Sequence, residues 1–188
     1  MKFSNSGTTC PAPDEITLVR DCIRKDYKAQ KKLFDLYKDA MYTIALRILN
    51  DQDEAHDALQ ESFIQVFRDI QDFRGESTLG AWIKTITVRS ALKKLKSLNR
   101  TPTGNDTNIP DSEPVVWPAW INSNDLEKAI LSLPDAYRVI FLLLEVEGYT
   151  HKELALMLDI PVGTSKIRLF RARQLLRKRL TDYGKDYE

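Results

Sequence analysis

Apolar residues recur at helical spacing along almost the whole chain, and this periodicity constrains the fold more than any other feature of the sequence. The pattern is clearest over residues 28–49, 53–71 and 78–98, where apolar side chains fall three or four positions apart. Between the last two segments, FRGEST predicts a loop with Gly75 at its turn and Ser77 as the N-cap of the next helix. No stretch alternates with the period of two that a half-buried strand would show. The sequence therefore predicts an all-α protein.

Helical periodicity stops between residues 99 and 124, where Pro, Thr, Asn, Asp and Ser are frequent. This composition is typical of a linker. A chain of 188 residues can hold one domain or two small ones. We therefore predict two small helical domains, residues 1–98 and 125–188, joined by a flexible linker over residues 99–124.

A net charge of only +1 hides an uneven charge distribution. Residues 51–61 contain five acidic residues and no Lys or Arg. In contrast, residues 80–100 contain six basic residues and residues 163–180 contain seven, and neither segment has an acid. Two basic segments separated by acidic ones predict two points of contact with one polyanion.

Several classes of protein and site are not expected from this sequence. No run of about 18 apolar residues predicts a membrane span, and the N-terminus lacks the apolar core of a signal peptide, so we expect a cytoplasmic protein. Cys10 and Cys22 lack metal-site spacing and are expected to be reduced thiols. His56 and His151 lie in polar helical contexts and are interpreted as solvated. We therefore expect no metal, no cofactor and no small-molecule substrate.

The second domain carries the layout of a helix-turn-helix. Thr150 and Glu153 match a capping box, which opens a short helix that runs through Leu158. Residues 159–162 form a tight turn, and a basic helix follows over residues 163–180. A short helix, a turn of about four residues and a basic helix is the order found in DNA-binding helix-turn-helix motifs.

The two sides of the basic helix differ in character. At 100° per residue, Ser165, Leu169, Ala172 and Leu176 share one side, which is expected to pack on the preceding helix. The opposite side is expected to face a partner and carries Ile167, Phe170, Arg171, Gln174 and Lys178, flanked by Lys166 and Arg177. Apolar side chains there suit thymine methyl groups, and the polar ones can reach base edges or phosphates.

A basic amphipathic helix can also lie on a membrane or dock into a groove of a partner protein. Ile167 and Phe170 are too few to form the wide apolar face of a membrane-surface helix. An enzyme has little support, because Asp57 and Glu61 lie one turn apart without a metal-ligand set or a phosphate loop beside them. A stand-alone helix-turn-helix transcriptional regulator is the alternative that stays open, although it leaves the acidic helix and FRGEST without a role.

Two long segments together resemble one family. Residues 34–86 resemble region two, and residues 126–176 resemble region four, of bacterial RNA polymerase sigma factors of the extracytoplasmic-function (ECF) type. The shared motifs are D-x-x-Q-E, FRGEST followed by a Trp, EGYTHKELA, and IPVGT followed by RLFRAR. The chain lacks the long central domain of housekeeping sigma factors, as this subfamily does.

The resemblance implies a sigma factor that binds core polymerase and directs promoter recognition, DNA melting and transcription initiation. In the family, the helix with the D-x-x-Q-E motif docks on the β′ clamp helices, which makes Asp57, Gln60 and Glu61 the expected contacts with core polymerase. Complementary charge on the partner would orient this association. The other expected partners are the β flap, promoter DNA and an anti-sigma factor.

The resemblance also assigns two sets of DNA-binding residues. The set expected at the −10 element is Phe73, Arg74, Glu76, Ser77, Thr78, Arg89, Lys93, Lys96 and Arg100. The set expected at the −35 element is Thr164, Lys166, Ile167, Arg168, Phe170, Arg171 and Gln174. A sigma factor captures bases that leave the stack and carries out no bond chemistry, so we expect no enzymatic activity.

Overall fold

The computed structural model describes residues 13–98 and 123–185, and every regular element in these two ranges is helical. The helices are α1 (Pro13–Ile23), α2 (Tyr27–Leu49), α3 (Gln52–Asp69), α4 (Leu79–Ser97), α5 (Ser123–Leu131), α6 (Asp135–Phe141), α7 (His151–Leu158) and α8 (Val162–Lys185). A 3₁₀ turn, Ile70–Asp72, follows α3, and a π-helical turn, Leu142–Val146, follows α6. The prediction of an all-α fold is confirmed. Among these helices, none has the length and apolar character that crossing a membrane requires.

The chain divides into two compact units between Lys94 and Leu95, inside the last turn of α4. The predicted linker lies outside the described residues, apart from residues 123 and 124, which already belong to α5. Arg100 and Cys10 also lie outside the described residues. The domain limits at residues 98 and 125 therefore stay a prediction.

Unit 1 is built on one apolar core to which α1, α2, α3 and α4 all contribute. Its buried members are Leu18, Val19, Cys22, Leu33, Met41, Leu59, Phe63, Val66, Ile70, Leu79, Ile83 and Ile86. Phe34 meets Phe63 edge to face with ring centroids 4.8 Å apart, an arrangement that aromatic pairs favour. Burial raises the pKa of the Cys22 thiol to about 11, with Asp21 and Asp26 adding to the shift, so this side chain behaves as a small apolar group.

The N-terminus of α4 is capped one residue later than predicted. The backbone N–H of Ala81 donates to Thr78 Oγ1 at 3.2 Å, whereas the Ser77 hydroxyl donates to the Thr78 carbonyl oxygen. Because α4 begins at Leu79, the residue immediately before it is the one whose side chain reaches the unpaired N–H groups of the first turn. The N-cap is therefore Thr78, and the prediction of Ser77 is wrong.

In unit 2, α5, α6 and α7 all pack against α8. The core includes Ile140, Leu143, Leu154 and Leu176. Arg138 is buried beside them, and its guanidinium donates to the Leu133 carbonyl oxygen at 3.0 Å and pairs with Asp135. A buried charge is tolerated only when it is paired and hydrogen-bonded, and Arg138 meets both conditions.

Candidate functional site

The predicted acidic residues lie together on one solvent-facing side of α3. Asp57, Gln60 and Glu61 are all exposed and follow the three- and four-residue spacing of one helix face. Ile64 extends this side by one turn and is 67% exposed, which is unusual for a large apolar side chain. We call Asp57, Gln60, Glu61 and Ile64 the acidic face. Ile64 was not among the predicted contacts with core polymerase, although its spacing of four and three residues from Gln60 and Glu61 predicts that it shares their helix face.

Lys94 of α4 forms ion pairs with two acids of α3. Its Nζ lies 2.7 Å from Asp57 Oδ2 and 3.0 Å from Glu54 Oε2, and the hydrogen bond with Asp57 is the main reason why its pKa is raised. The Lys94 side chain is only 16% exposed, whereas that of Asp57 is 62% exposed and stays open to a partner. Lys94 therefore belongs with the acids of α3, unlike the neighbouring Lys93, which points to solvent.

The basic residues predicted on α4 are also exposed. Arg89, Lys93 and Lys96 project to solvent from successive turns, and we call them the basic face. Arg89 and Lys93 line an open groove between α3 and α4 whose other lining residues are Glu61, Ile64, Gln65, Arg68 and Ser90. The residues expected to meet core polymerase and those expected to meet DNA thus border the same groove.

The FRGEST loop separates into solvent-facing residues and supporting ones. Gly75 turns the chain with φ +70°, a conformation that glycine adopts without strain. Arg74, Glu76 and Ser77 are exposed. Phe73 is half-buried with its ring centroid 5.4 Å from that of Trp82, which packs against the core of unit 1. Thr78 is also exposed, but its side chain caps α4. Phe73 and Thr78 therefore hold the loop in position, whereas Arg74, Glu76 and Ser77 face outward without a capping role.

The helix-turn-helix geometry of α7 and α8 follows from local hydrogen bonds. Thr150 Oγ1 accepts from the Glu153 N–H at 3.2 Å, and Glu153 Oε2 accepts from the Thr150 N–H at 2.7 Å. The predicted capping box is therefore present, and the hydrogen bonds that the Thr150 N–H and the Thr150 hydroxyl donate to the carboxylate lower the pKa of Glu153. Asp159 ends α7 in the left-handed conformation, φ +55°, and α8 begins three residues later at Val162.

The predicted reading side of α8 is only partly correct. Ser165, Leu169, Ala172 and Leu176 are buried as expected. On the other side, Lys166, Gln174, Arg177 and Lys178 are exposed, and Thr164, Phe170 and Arg171 are half-buried. We call Thr164, Lys166, Phe170, Arg171 and Gln174 the reading face.

Ile167 and Arg168 do not belong to the reading face, and their predicted exposure is wrong. Ile167 is 5% exposed and Arg168 is 3% exposed. Three helices, α5, α6 and α7, cover α8, so its buried surface is wider than the single stripe expected from packing on α7 alone. Burial also lowers the pKa of the Arg168 guanidinium, an effect that the nearby Tyr137 opposes.

His151 was expected to be solvated, but it is half-buried between α7 and α8. Its Nδ1 lies 2.9 Å from Oγ of the buried Ser165. Burial is the main reason why the pKa of His151 is lowered, with Lys166 and Arg173 adding to the shift and Glu145 opposing it. This contact joins the first residue of α7 to α8 inside the helix-turn-helix.

We expect the stability of unit 2 to decline as pH falls below about 6.5, the pKa of histidine in an unfolded chain. Because the folded-state pKa of His151 is lower, the unfolded chain takes up the proton first, and the stabilisation is lost as pH falls toward the folded-state pKa. Thermal unfolding followed by circular dichroism over a pH series would measure this loss. His151→Gln should flatten the pH dependence, and curves that run parallel for wild type and variant would contradict the prediction.

Comparison with protein families assigns the two units to successive regions of one family. The Sigma-70 region 2 family model matches residues 33–101, and the Sigma-70 region 4 family model matches residues 123–176. The first match contains the acidic face, the loop and the basic face, and the second ends within α8 at the buried Leu176.

Full-length relatives show the same similarity. RNA polymerase sigma-H factor of Pseudomonas aeruginosa is 28% identical over 176 residues, which cover 84% of this chain and 91% of the relative. ECF RNA polymerase sigma-E factor of Haemophilus influenzae is 29% identical over 177 residues, which cover 87% of this chain and 93% of the relative. The fold is similar to that of the sigma factor RpoE of Bartonella quintana, with a TM-score of 0.53 at 23% identity over 80% of this chain and 96% of that one.

Proposed function

Because this chain belongs to the sigma-70 family of RNA polymerase sigma factors, within its ECF group, we propose that its two helical units divide promoter recognition between them. The prediction of a promoter-recognition sigma factor is itself confirmed by the family matches. The observation that carries the proposal is that region 2 and region 4 occur in one chain, in that order. A stand-alone helix-turn-helix regulator would need only region 4.

The acidic face of α3 binds the β′ clamp helices of core polymerase in this proposal. Glu61 supplies negative charge that orients association with a basic surface, and the exposed carboxylate of Asp57, although paired with Lys94, offers a further hydrogen-bond acceptor. Ile64 supplies an apolar contact at the end of the face, where covering its exposed side chain adds to affinity. Unit 2 makes a second contact with core polymerase, at the β flap.

Helix α4 and the FRGEST loop bind the −10 element. Arg89, Lys93 and Lys96 neutralise phosphates along the duplex or the non-template strand. Arg74, Glu76 and Ser77 face outward and capture a base that leaves the stack, which biases the duplex toward melting. The chain promotes opening by binding and breaks no covalent bond, so it acts as a specificity subunit and not as an enzyme.

The reading face of α8 contacts the −35 element in the major groove. We expect Arg171→Ala to weaken binding to a −35 duplex about tenfold, or about 1.4 kcal/mol, while binding to core polymerase is unchanged. Fluorescence anisotropy with the full chain measures the first quantity and titration of labelled chain into core polymerase the second. Equal loss of both would refute the assignment.

Arg168→Ala is the matched control for this experiment. It also removes one arginine charge, but from a buried position three residues before Arg171. It should lower the melting temperature of the chain, since truncating a buried side chain costs packing. Arg171→Ala should leave the melting temperature nearly unchanged. A lower melting temperature for Arg171→Ala than for Arg168→Ala would reverse the two assignments.

An anti-sigma partner and a cellular location are further parts of this proposal. The Bartonella quintana structure contains a sigma factor in complex with the anti-sigma factor NepR. We propose that this chain is likewise held by an anti-sigma factor in the bacterial cytoplasm, where it would meet core polymerase after release.

A further inference from the structure

A third basic cluster surrounds the start of α2 and has no role in the function proposed above. The segment RKDYKAQKK, residues 24–32, contains five basic residues and one acid. The acid is Asp26, and its carboxylate is occupied as the N-cap of α2, where Oδ1 accepts from the Ala29 N–H at 2.9 Å. A strong local excess of positive charge therefore remains in a chain of net charge +1.

Three of these cations share the outer side of α2. Lys28, Lys31 and Lys32 are exposed, and their spacing of three and four residues places them on one helix face. None of the three forms an ion pair within residues 13–98 and 123–185. Asp35 lies on the same face, but it pairs with Lys38 at 3.1 Å, so its charge is compensated.

An aromatic ring lies at the N-terminal end of this face. Tyr27 is 77% exposed, and together with the lysines, Asp35 and the exposed Leu36 it borders one open depression along α2. Nucleic-acid single strands are bound by this combination, in which cations contact phosphates and aromatic rings stack on bases. A duplex would leave the Tyr27 ring unused, because its bases are already stacked on one another.

We propose that the face formed by Tyr27, Lys28, Lys31 and Lys32 binds single-stranded DNA. The proposal rests on the proposed function, in which unit 1 holds separated promoter strands, and it adds a contact outside α4 and the FRGEST loop. The lysines hold the phosphate backbone and Tyr27 stacks on a base.

The test is binding of the full chain to a fluorescein-labelled single-stranded oligothymidine, measured by anisotropy at several salt concentrations. Lys28→Ala/Lys31→Ala/Lys32→Ala should reduce the slope of log K against log salt by about 2, since each phosphate contact to a single strand contributes about 0.7. Tyr27→Ala should weaken binding about fivefold or more, as expected from the loss of one stacked base, and Tyr27→Phe should bind like wild type.

Lys128→Ala/Lys152→Ala removes two exposed lysines of unit 2 and is the control, with a slope like that of wild type. An unchanged slope in the α2 variant, or no binding of the oligonucleotide by wild type, would overturn the proposal. So would an α2 variant that loses binding to polyglutamate but keeps binding to DNA, since that result indicates an acidic protein partner. Arg89→Ala/Lys93→Ala in the same assay tests the basic face of α4 separately. A failure of the α2 proposal can therefore be told apart from a failure of the DNA-binding role proposed for α4.

Discussion

The double substitution Gln60→Ala/Glu61→Lys is expected to weaken binding to core RNA polymerase about 100-fold, or about 2.7 kcal/mol. Both side chains are exposed on α3 beside Ile64, so the change alters the centre of the acidic face without touching the core. Reversing a charge at an interface places like charges opposite each other, which costs more than removing one. Titration of the fluorescently labelled full chain with core polymerase measures the loss.

Asp39→Lys provides the control for this experiment, because it makes the same change of charge at an exposed position on α2 outside the acidic face. It should bind core polymerase within about twofold of wild type, as surface substitutions away from an interface do. Wild-type affinity in Gln60→Ala/Glu61→Lys, or equal losses in both variants, would show that the acidic face is not the docking surface.

The triple substitution Arg74→Ala/Glu76→Ala/Ser77→Ala is expected to reduce promoter opening about 10- to 100-fold, since capture of a base by these residues offsets an unstacking cost of a few kcal/mol. Phe73 is left intact because it packs on Trp82, and Thr78 because it caps α4. Gly75 is kept because its φ is positive. Closed-complex formation depends on other contacts and should be retained. Permanganate reactivity of unpaired thymines measures opening, and a gel-shift assay measures the closed complex.

Gln71→Ala/Asp72→Ala serves as the matched control, because both residues are exposed and lie just before the loop. It should open the promoter like wild type. Unchanged permanganate reactivity in the loop variant would remove the role assigned to Arg74, Glu76 and Ser77. A parallel loss of closed complex would assign the loop to binding and not to opening.

Features that depend on neighbouring residues in the sequence could be predicted from it. The periodic apolar spacing gave the helices, and the capping box at Thr150 and Glu153 gave the start of α7, because both arise within one or two helical turns. Exposure of Asp57, Gln60 and Glu61 also followed from the amphipathic pattern of α3. The N-cap of α4 was misplaced by one residue because Ser77 and Thr78 have the same capping chemistry.

Features that depend on how many elements pack on a helix could not be predicted. Ile167 and Arg168 lie off the stripe that faces α7, and only the packing of α5 and α6 on α8 explains their burial. His151 has no sequence signal for its contact with Ser165, fourteen residues later. Lys93 and Lys94 are indistinguishable by type, but consecutive residues of a helix point 100° apart, and only Lys94 faces the acids of α3.

The most direct test of the proposed sigma-factor function is run-off transcription by core RNA polymerase from the source bacterium. The template is a genomic DNA library, and transcription is compared with and without this chain. In the proposed function, conversion of core enzyme into a promoter-specific enzyme requires both units, since each contacts both polymerase and DNA. We expect transcripts that appear only when the chain is added and that start downstream of a common pair of promoter elements. Transcripts that are identical with and without the chain, although it is folded and core polymerase is active, would contradict the proposed function.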